Sequence, residues 1–400
     1  MENIECPLCC CSKQKYTIFK RDNVFASVAV LCTFEMSKLF KEDSSIQLLQ
    51  CGECGFIFNQ AFSFDNIEKV YSQNNLYYQQ KNFTNRLSKH ILSIRDFLMK
   101  YGNKEDIFLE IAPGYGDLLF LLSKEVKKYY SVDPSASSLK YCKAENVVHI
   151  CEFFNDAIKA KIKDKIQFII FRHVLEHVEN PNVFLKSVVD IIEKNGYIYI
   201  EVPNAENIFR FSRFTDIYHD HCGYFQKGTI IKIMQYYGCE LIDSVNFFED
   251  KYIGLLFKKN NKQKNSKEYF TMYDENTKKN LNNNIEYINK LLSKYECIGL
   301  YGGASQSNAL LNYLDTDNSK KIKKAFEIDR DKVGKYLINS KIPIEFPSKK
   351  TLKDLDCIVM CMNIHETFVF QNEIIRFVEN NKFRGDVIKM ANSIELVKFI

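Results

Sequence analysis

From Ile107 onward, short apolar runs alternate with helical patterns, and this alternation most restricts what the chain can fold into. Ile107-Phe-Leu-Glu-Ile111 and residues 129–132, 167–170 and 196–202 read as buried strands. Helical patterns over 117–127, 136–144 and 182–194 separate them. Strands and helices at this spacing predict a mostly parallel sheet covered on both faces. Two later strands, 239–247 and 253–258, leave no room for a helix between them and are expected to pair antiparallel at the edge. A helix over 81–101 precedes the first strand. A Lys/Asn run over 258–267 reads as a linker. After a helix over 269–292 the alternation resumes with strands at 297–301, 323–329 and 356–361, and a helix opening at 309, which predicts a second, smaller open α/β domain. The expected fold is therefore α/β and doubly wound, with boundaries at 1–75, 76–260 and 268–400.

The first of these segments is expected to fold back as a small strand-rich lobe around its cysteines. Cys6-Pro-Leu-Cys9 and Cys51-Gly-Glu-Cys54 are two CxxC pairs with 41 residues between them. Each pair lets two thiolates reach one metal from a tight turn. Two pairs make a closed four-sulfur Zn²⁺ site that supports structure rather than chemistry. Free thiols are the alternative, as is a redox pair, which needs a βαβ setting absent here. Cys10 and Cys11 follow Cys9 directly, so the register is open at this level. Cys142, Cys151, Cys239, Cys297, Cys357 and Cys361 read as small buried hydrophobes, and the spacing of the 14 cysteines argues against disulfides.

A net charge of +5 over 400 residues, with lysines scattered among Asn and Asp, describes a solvated surface rather than a nucleic-acid footprint. No apolar run is long enough to span a bilayer, and the N-terminus lacks the pattern of a signal peptide. A cytoplasmic protein with no nucleic-acid or membrane partner is expected.

Phe108-Leu-Glu-Ile-Ala-Pro-Gly-Tyr-Gly-Asp117 joins an acidic strand end to a Gly-rich turn at a helix start, and Asp133 closes the next strand. Open α/β sheets bind ligands outside the carboxyl ends of their strands, where an acid can accept both hydroxyls of a ribose. Glu110, directly beneath the loop, would repel a pyrophosphate but attract the ammonium and sulfonium of S-adenosylmethionine. Glu110, Ala112, Gly114, Gly116 and Asp133 are accordingly the candidate cofactor residues, with S-adenosylmethionine preferred over a dinucleotide.

Four of the seven histidines fall in two clusters, His173 with His177 and His219 with His221. Beside Glu176, Tyr218 and Asp220, they point to proton transfer or metal binding rather than packing. A metal site could be built from the two clusters together.

With these motifs in view, the chain resembles the class I S-adenosylmethionine-dependent methyltransferases. More narrowly, it is similar to the three-domain C-methyltransferases that act on nucleotide-linked keto-deoxysugars. The resemblance rests on the Cys6/Cys9/Cys51/Cys54 lobe, the 110–117 loop, Val174-Leu-Glu-His177, Glu201-Val-Pro-Asn204, Asp216-Ile-Tyr-His-Asp-His221, Tyr301-Gly-Gly-Ala-Ser-Gln-Ser-Asn308 and Ile342-Pro-Ile344. It implies a zinc-binding lobe, a class I methyltransferase core and a C-terminal Rossmann-like domain that holds the acceptor's nucleotide, in a monomeric enzyme. It also implies that His221 is the base that forms an enolate on the sugar, with Tyr218, Asp220 and His177 around it. Tyr78, Asn204, Gly302, Gly303 and Asn308 become candidate acceptor contacts; Tyr71 and Tyr77 lie in the same tyrosine-rich segment as Tyr78. His173 and His219 are expected to be structural.

The chain departs from the family pattern at Ala112, where a glycine is usual and where φ is expected to be negative. It departs again at Asp220 for Glu, at Cys222-Gly223, at Gln306-Ser307 and in the turn over 246–252. Most of these lie on the acceptor side. An O- or N-methyltransferase acting on a sugar or small metabolite is therefore the alternative.

Overall fold

The computed structural model describes residues 4–399 apart from 13, 31, 38–41, 66, 68–83, 136–138, 140–143, 261, 263–268 and 381. Tyr71, Tyr77, Tyr78, Cys142 and most of the helix expected over 136–144 lie outside the described residues, as does most of the expected linker.

Three sheets carry the fold. The central one has seven strands: β4 (Ile107–Ile111), β5 (Lys128–Val132), β6 (Val147–Ile150), β7 (Ile166–Arg172), β8 (Ile192–Pro203), β10 (Cys239–Phe247) and β11 (Tyr252–Lys259), in the order β10-β11-β8-β7-β4-β5-β6. The first five are parallel, and β11 and β10 run antiparallel at one end. The expected late pair is thus present, with β10 as the edge. This is the doubly wound class I methyltransferase order, with the chain reversing direction beside β4, where such sheets bind ligands.

Side chains alternate across β4. Leu109 and Ile111 join the core under the helices Pro181–Ile191 and Lys227–Tyr236, while Phe108 faces the helix Asn85–Leu98 on the other side. Thr84 caps that last helix by accepting from the Leu87 N–H. Its buried stripe runs Leu87, His90, Ile91, Ile94, Phe97, Leu98, the spacing of one helical face. Pro181 opens the next helix at its first turn, where a missing N–H costs nothing.

The C-terminal sheet has β12 (Ile298–Tyr301), β13 (Ile322–Phe326), β14 (Ile344–Glu345), β15 (Cys357–Met360), β16 (Asp386–Lys389) and β17 (Glu395–Val397), in the order β14-β13-β12-β15-β16-β17. All its pairs are parallel except β16–β17. The helix Glu275–Leu292, capped by Asp274, leads into it.

The N-terminal lobe holds β1 (Lys15–Val24), β2 (Ser44–Cys51) and β3 (Ile57–Asn59), all antiparallel. Its fourth strand is β9 (Gly223–Tyr224), which the chain supplies from far downstream. Tyr224 pairs with Ile57 and Gly223 with Phe58. The sheet of the first lobe is therefore completed by the segment that carries Tyr218, Asp220 and His221.

Several elements differ from the sequence reading. The helix at Asp117 ends at Leu122 rather than 127, and β8 starts at Ile192, directly where the preceding helix stops. The helix expected over 269–292 starts at Glu275. Cys151 is exposed and Cys297 half-buried, against the expected burial, whereas Cys239, Cys357 and Cys361 are buried. Among the described residues, no helix is long and apolar enough to cross a membrane.

Candidate active site

The carboxyl ends of β4, β5, β7 and β8 bring the cofactor and histidine motifs to one edge. Glu110 lies one residue before the end of β4, fully buried, and accepts from the Tyr129 hydroxyl at 2.8 Å. Burial pushes its carboxyl up, and the Arg172 guanidinium, 3.9 Å away, pulls it back toward ionisation. The turn that follows needs left-handed backbone at Gly114 (φ 60°) and at Gly116 (φ 78°), which caps the Asp117–Leu122 helix. Asp133, at the end of β5, accepts from the Ser135 N–H at 2.7 Å. Burial raises its carboxyl to about 6, against backbone N–H groups of Ser135 and Gly114 that favour the charge. The acid that would take the ribose thus already touches the loop.

Ala112 corrects the sequence reading. Its φ is 51°, not negative. The residue is locked by its N–H donating to Val132 O at 2.8 Å, so the loop follows the glycine-type path without a glycine. Left-handed backbone costs a non-glycine residue about 1–2 kcal/mol, and glycine returns part of that gain as unfolded-state entropy. Ala112→Gly should therefore raise stability by about 0.5–1 kcal/mol in a urea titration; a destabilised variant would argue against the strain.

β7 ends at Arg172, and the next residue, His173, has φ 54°. Its ring sits between two acids, with Nδ1 3.4 Å from Glu176 Oε1 and Nε2 3.3 Å from Glu201 Oε1. Burial disfavours the imidazolium, but the hydrogen bonds to Glu176 and Glu201 outweigh it and raise the group to about 9. His173 is therefore a fixed cation under the site. That is a sharper role than the packing residue the sequence suggested.

The short turn Leu175–His177 carries His177, whose Nδ1–H donates to the Asp220 carbonyl at 2.8 Å. His221 lies against His177, ring centroids 4.7 Å apart, and stacks on Tyr218 at 4.1 Å. His221 is 6% exposed, and its Nδ1 has no hydrogen-bond partner. Burial first, then the charge of His177 and His173, holds its imidazole well below the usual histidine range. At neutral pH it is the free base. Asp220 accepts from the Ser27 hydroxyl at 2.7 Å, a contact from the N-terminal lobe that no local pattern signals. Tyr218, Asp220, His177 and His221 are thus gathered as the motifs predict.

His219 faces away, as its alternation with Tyr218 and Asp220 suggests. Its Nδ1–H donates to Ser45 O at 2.7 Å and its Nε2 accepts from the Ser63 N–H at 3.3 Å. Both nitrogens are spent on the N-terminal lobe.

The proposed acceptor contacts fare unevenly. Gly302 (φ 117°) turns the chain at the end of β12, and Gly303 follows it. Asn308, in contrast, is completely buried; its amide donates to Val28 O and Val30 O and accepts from the Ile338 N–H. Asn204 caps the helix Ala205–Arg210 and donates to Asp250 O. Both side chains tie elements together, so sequence reasoning overstated their freedom to meet a ligand. Tyr78 lies outside the described residues.

Sequence reasoning missed Asp216 as a hub. Its carboxylate accepts from Arg213 Nε at 2.6 Å, Gln306 Nε2 at 2.7 Å and Asn363 Nδ2 at 2.8 Å, bolting the segment that leads to His221 to the C-terminal domain. Gln306, where a lysine is common in the resembled family, is here a bonding partner. A cleft lined by Arg213, Thr215, Gln306, Met362 and Asn363 opens beside it, past the carboxyl ends of β12 and β15.

In the first lobe, Cys6, Cys9, Cys51 and Cys54 converge. Sγ of Cys6 lies 3.7 Å from that of Cys54, and Sγ of Cys9 lies 3.7 Å from that of Cys51. A tetrahedron with Zn–S bonds of ~2.3 Å has edges of ~3.8 Å, so the four thiols fit a zinc ion. Cys10 is exposed and turned out at φ 56°, which resolves the register. Gly55 (φ 73°) closes the second turn, and a Cβ there would meet the Phe270 ring at 2.3 Å.

Two domain models match the chain. A methyltransferase domain model matches residues 83–244, and a C-methyltransferase C-terminal domain model matches residues 249–382. The chain thus carries a methyltransferase domain followed by a C-methyltransferase C-terminal domain. C-methyltransferase NovU of Streptomyces niveus is 21% identical over 141 residues, 34% of this chain and 34% of that protein, so the match spans about a third of the relative's length. Among solved structures, N-methyltransferase NodS from Bradyrhizobium japonicum WM9, in complex with S-adenosyl-L-homocysteine, is 11% identical. It covers 49% of this chain and 97% of its own, with a TM-score of 0.37. Magnesium protoporphyrin IX methyltransferase from Synechocystis PCC 6803 is 14% identical, covering 49% and 93%, with a TM-score of 0.35.

Proposed function

We propose that the protein methylates a carbon atom of a nucleotide-linked keto-deoxysugar, with S-adenosylmethionine as donor and base-catalysed enolate formation as the activating step. One observation carries the reading: His221 is buried and packed on Tyr218 and His177 at the strand ends beside the donor loop, where burial holds its imidazole well below the usual histidine range. A carbon next to a carbonyl becomes nucleophilic only when it loses a proton, which needs a base that is free at working pH. The donor, when bound, supplies an electrophilic methyl on a sulfonium.

The chain's own residues do the rest. Glu110 and Asp133 hold the ammonium and ribose, His221 takes the proton, and His177 and Tyr218 border the carbonyl. The nucleotide is assigned to the carboxyl ends of β12 and β15, the side on which open sheets bind ligands. The four cysteines hold a structural Zn²⁺.

The reading is tested by incubating the enzyme with a nucleotide-linked keto-deoxysugar in D₂O without donor. Deuterium should enter at one carbon. Methyl transfer with no exchange under any condition would favour a hydroxyl or amine acceptor instead.

The donor site makes a separate prediction. Between pH ~4 and ~6 folded Asp133 keeps a proton that the unfolded chain has released, so its ionisation costs stability as pH rises through about 6. Ribose hydroxyls need the ionised form. Donor affinity measured by calorimetry should therefore strengthen as pH rises through about 6, and Asp133→Asn should remove that step. An unchanged step in the variant would assign the titration elsewhere.

A further inference from the structure

Glu176 is an unused charge at the centre of the site. It lies on the turn before His177, 2% exposed. Its Oε1 faces the His173 imidazolium at 3.4 Å, while Oε2 is buried with no hydrogen-bond partner. His221 Nδ1 is buried without a partner in the same way. One nitrogen or oxygen from each of Glu176, His177 and His221 falls within 4.8 Å of the others. An unsatisfied buried carboxylate oxygen is costly, and such an atom beside an unsatisfied imidazole nitrogen suggests a bond made at only one stage of the reaction.

Behind Glu176 stands a rigid support. His173, in strained left-handed backbone, is clamped between Glu176 and Glu201. Glu201 is fully buried and has both oxygens filled, Oε1 by His90 at 3.1 Å and by His173, Oε2 by the Tyr199 hydroxyl at 2.7 Å. His90 comes from the buried face of the Asn85–Leu98 helix, and Tyr252 of β11 packs edge-on against His173 at 4.5 Å. Three elements of the core thus converge to hold one histidine, which holds one oxygen of Glu176. The other oxygen has no hydrogen-bond partner, and the carboxylate lies within 4.8 Å of a ring nitrogen of both His177 and His221.

We propose that Glu176 is the positioning carboxylate of the base, anchored through His173 and waiting for the N–H of the His221 imidazolium. When the acceptor C–H bond breaks, its electron pair becomes the enolate and its proton moves to one nitrogen of His221. The ring's other N–H then donates to Glu176, and the charge is neutralised inside a dry site. The enolate carbon then forms its new C–C bond to the donor's methyl as the methyl–sulfur bond breaks, its electron pair leaving with the sulfur as S-adenosylhomocysteine; the methylated ketone departs, and His221 returns its proton to solvent. The inference rests on His221 being the base. The titratable and charged groups around Glu176 are His173, His177, His221, Glu179, Asp220, Cys222, Glu201 and Tyr252, so a shift must be read by comparing variants rather than from one profile.

The test is Glu176→Gln in the full-length enzyme, which keeps size and hydrogen bonding but removes the charge. Turnover and donor-free deuterium exchange should fall together by about 10- to 100-fold, the range of one charge-assisted hydrogen bond. KM and donor affinity should stay within about twofold. The acidic limb of the kcat/KM profile should move to lower pH, because an imidazolium without its carboxylate loses its proton more easily. Glu176→Asp should recover part of the loss.

Wild-type turnover in Glu176→Gln overturns the proposal. So does a loss in which the acidic limb stays put, or in which both variants also lose donor binding, since either marks a purely structural side chain. Turnover that depends on added Mn²⁺ would overturn it as well, making the three side chains metal ligands. If His221→Asn is inactive while Glu176→Gln is normal, only this inference fails; if both turn over normally, it is the base assignment that fails.

Discussion

His221→Asn should lower turnover by about 10²–10⁴-fold while donor binding stays intact, the contribution of one positioned base. The substitution is nearly isosteric and leaves the cofactor loop untouched. His221 is held by the turn in which its N–H meets the Tyr218 carbonyl, and by rings on two sides rather than by side-chain hydrogen bonds, so the fold should tolerate the change. Calorimetry with S-adenosylmethionine and single-turnover rates on the same sample separate the two effects. Near-wild-type turnover would remove His221 from the chemistry and leave Asp220 or His177 to be tried. The low basicity of His221 has a second consequence. A base held in its free form by burial and neighbouring positive charge works without loss well below pH 7, so the acidic limb of the rate profile should lie below that of an ordinary histidine.

Cys54→Ser should have the largest effect on structure. Structural zinc sites supply about 10–16 kcal/mol of folding free energy in small peptides, and one missing ligand forfeits much of it. The native chain should carry one zinc per molecule by elemental analysis, and the variant close to none. Hydrogen exchange in β1–β3 should accelerate by about two orders of magnitude or more. Because β9 pairs with β3 and Ser27 bonds Asp220, turnover should fall with it although Cys54 is remote from the histidines. A variant with native exchange protection would show that the four thiols hold no ion of structural weight.

The core was readable from local pattern. Ile107–Ile111 is a contiguous apolar run with one acid, and that acid, Glu110, is where a donor loop needs it. The paired CxxC spacing marked the thiol cluster, and the resemblance to the C-methyltransferases grouped Tyr218, Asp220, His177 and His221. What was not legible is non-local. β6 is short and only half-buried, so it has no clear period. Gly223–Tyr224 is too short to read as a strand and depends entirely on its distant partner. Asn204 and Asn308 have the chemistry of ligand contacts, and only their neighbours show it is already committed. The sign of φ at Ala112 depends on a bond to Val132 across the sheet. Glu176 stood out beside the histidines in the sequence, but not as a partner of the base, because that role lies in a bond it lacks.

The strand borrowed by the first sheet also sets an order of events during synthesis. Residues 4–59 emerge early, but their sheet cannot close until residue 224 has left the ribosome. Until then one edge of β3 is open, a template for unwanted pairing. The cysteines can gather an ion beforehand, because all four precede that point, so metal capture can guard the nascent lobe while it waits. The same dependence means that the lobe cannot be cut out as a free-standing module or exchanged between relatives without its downstream strand.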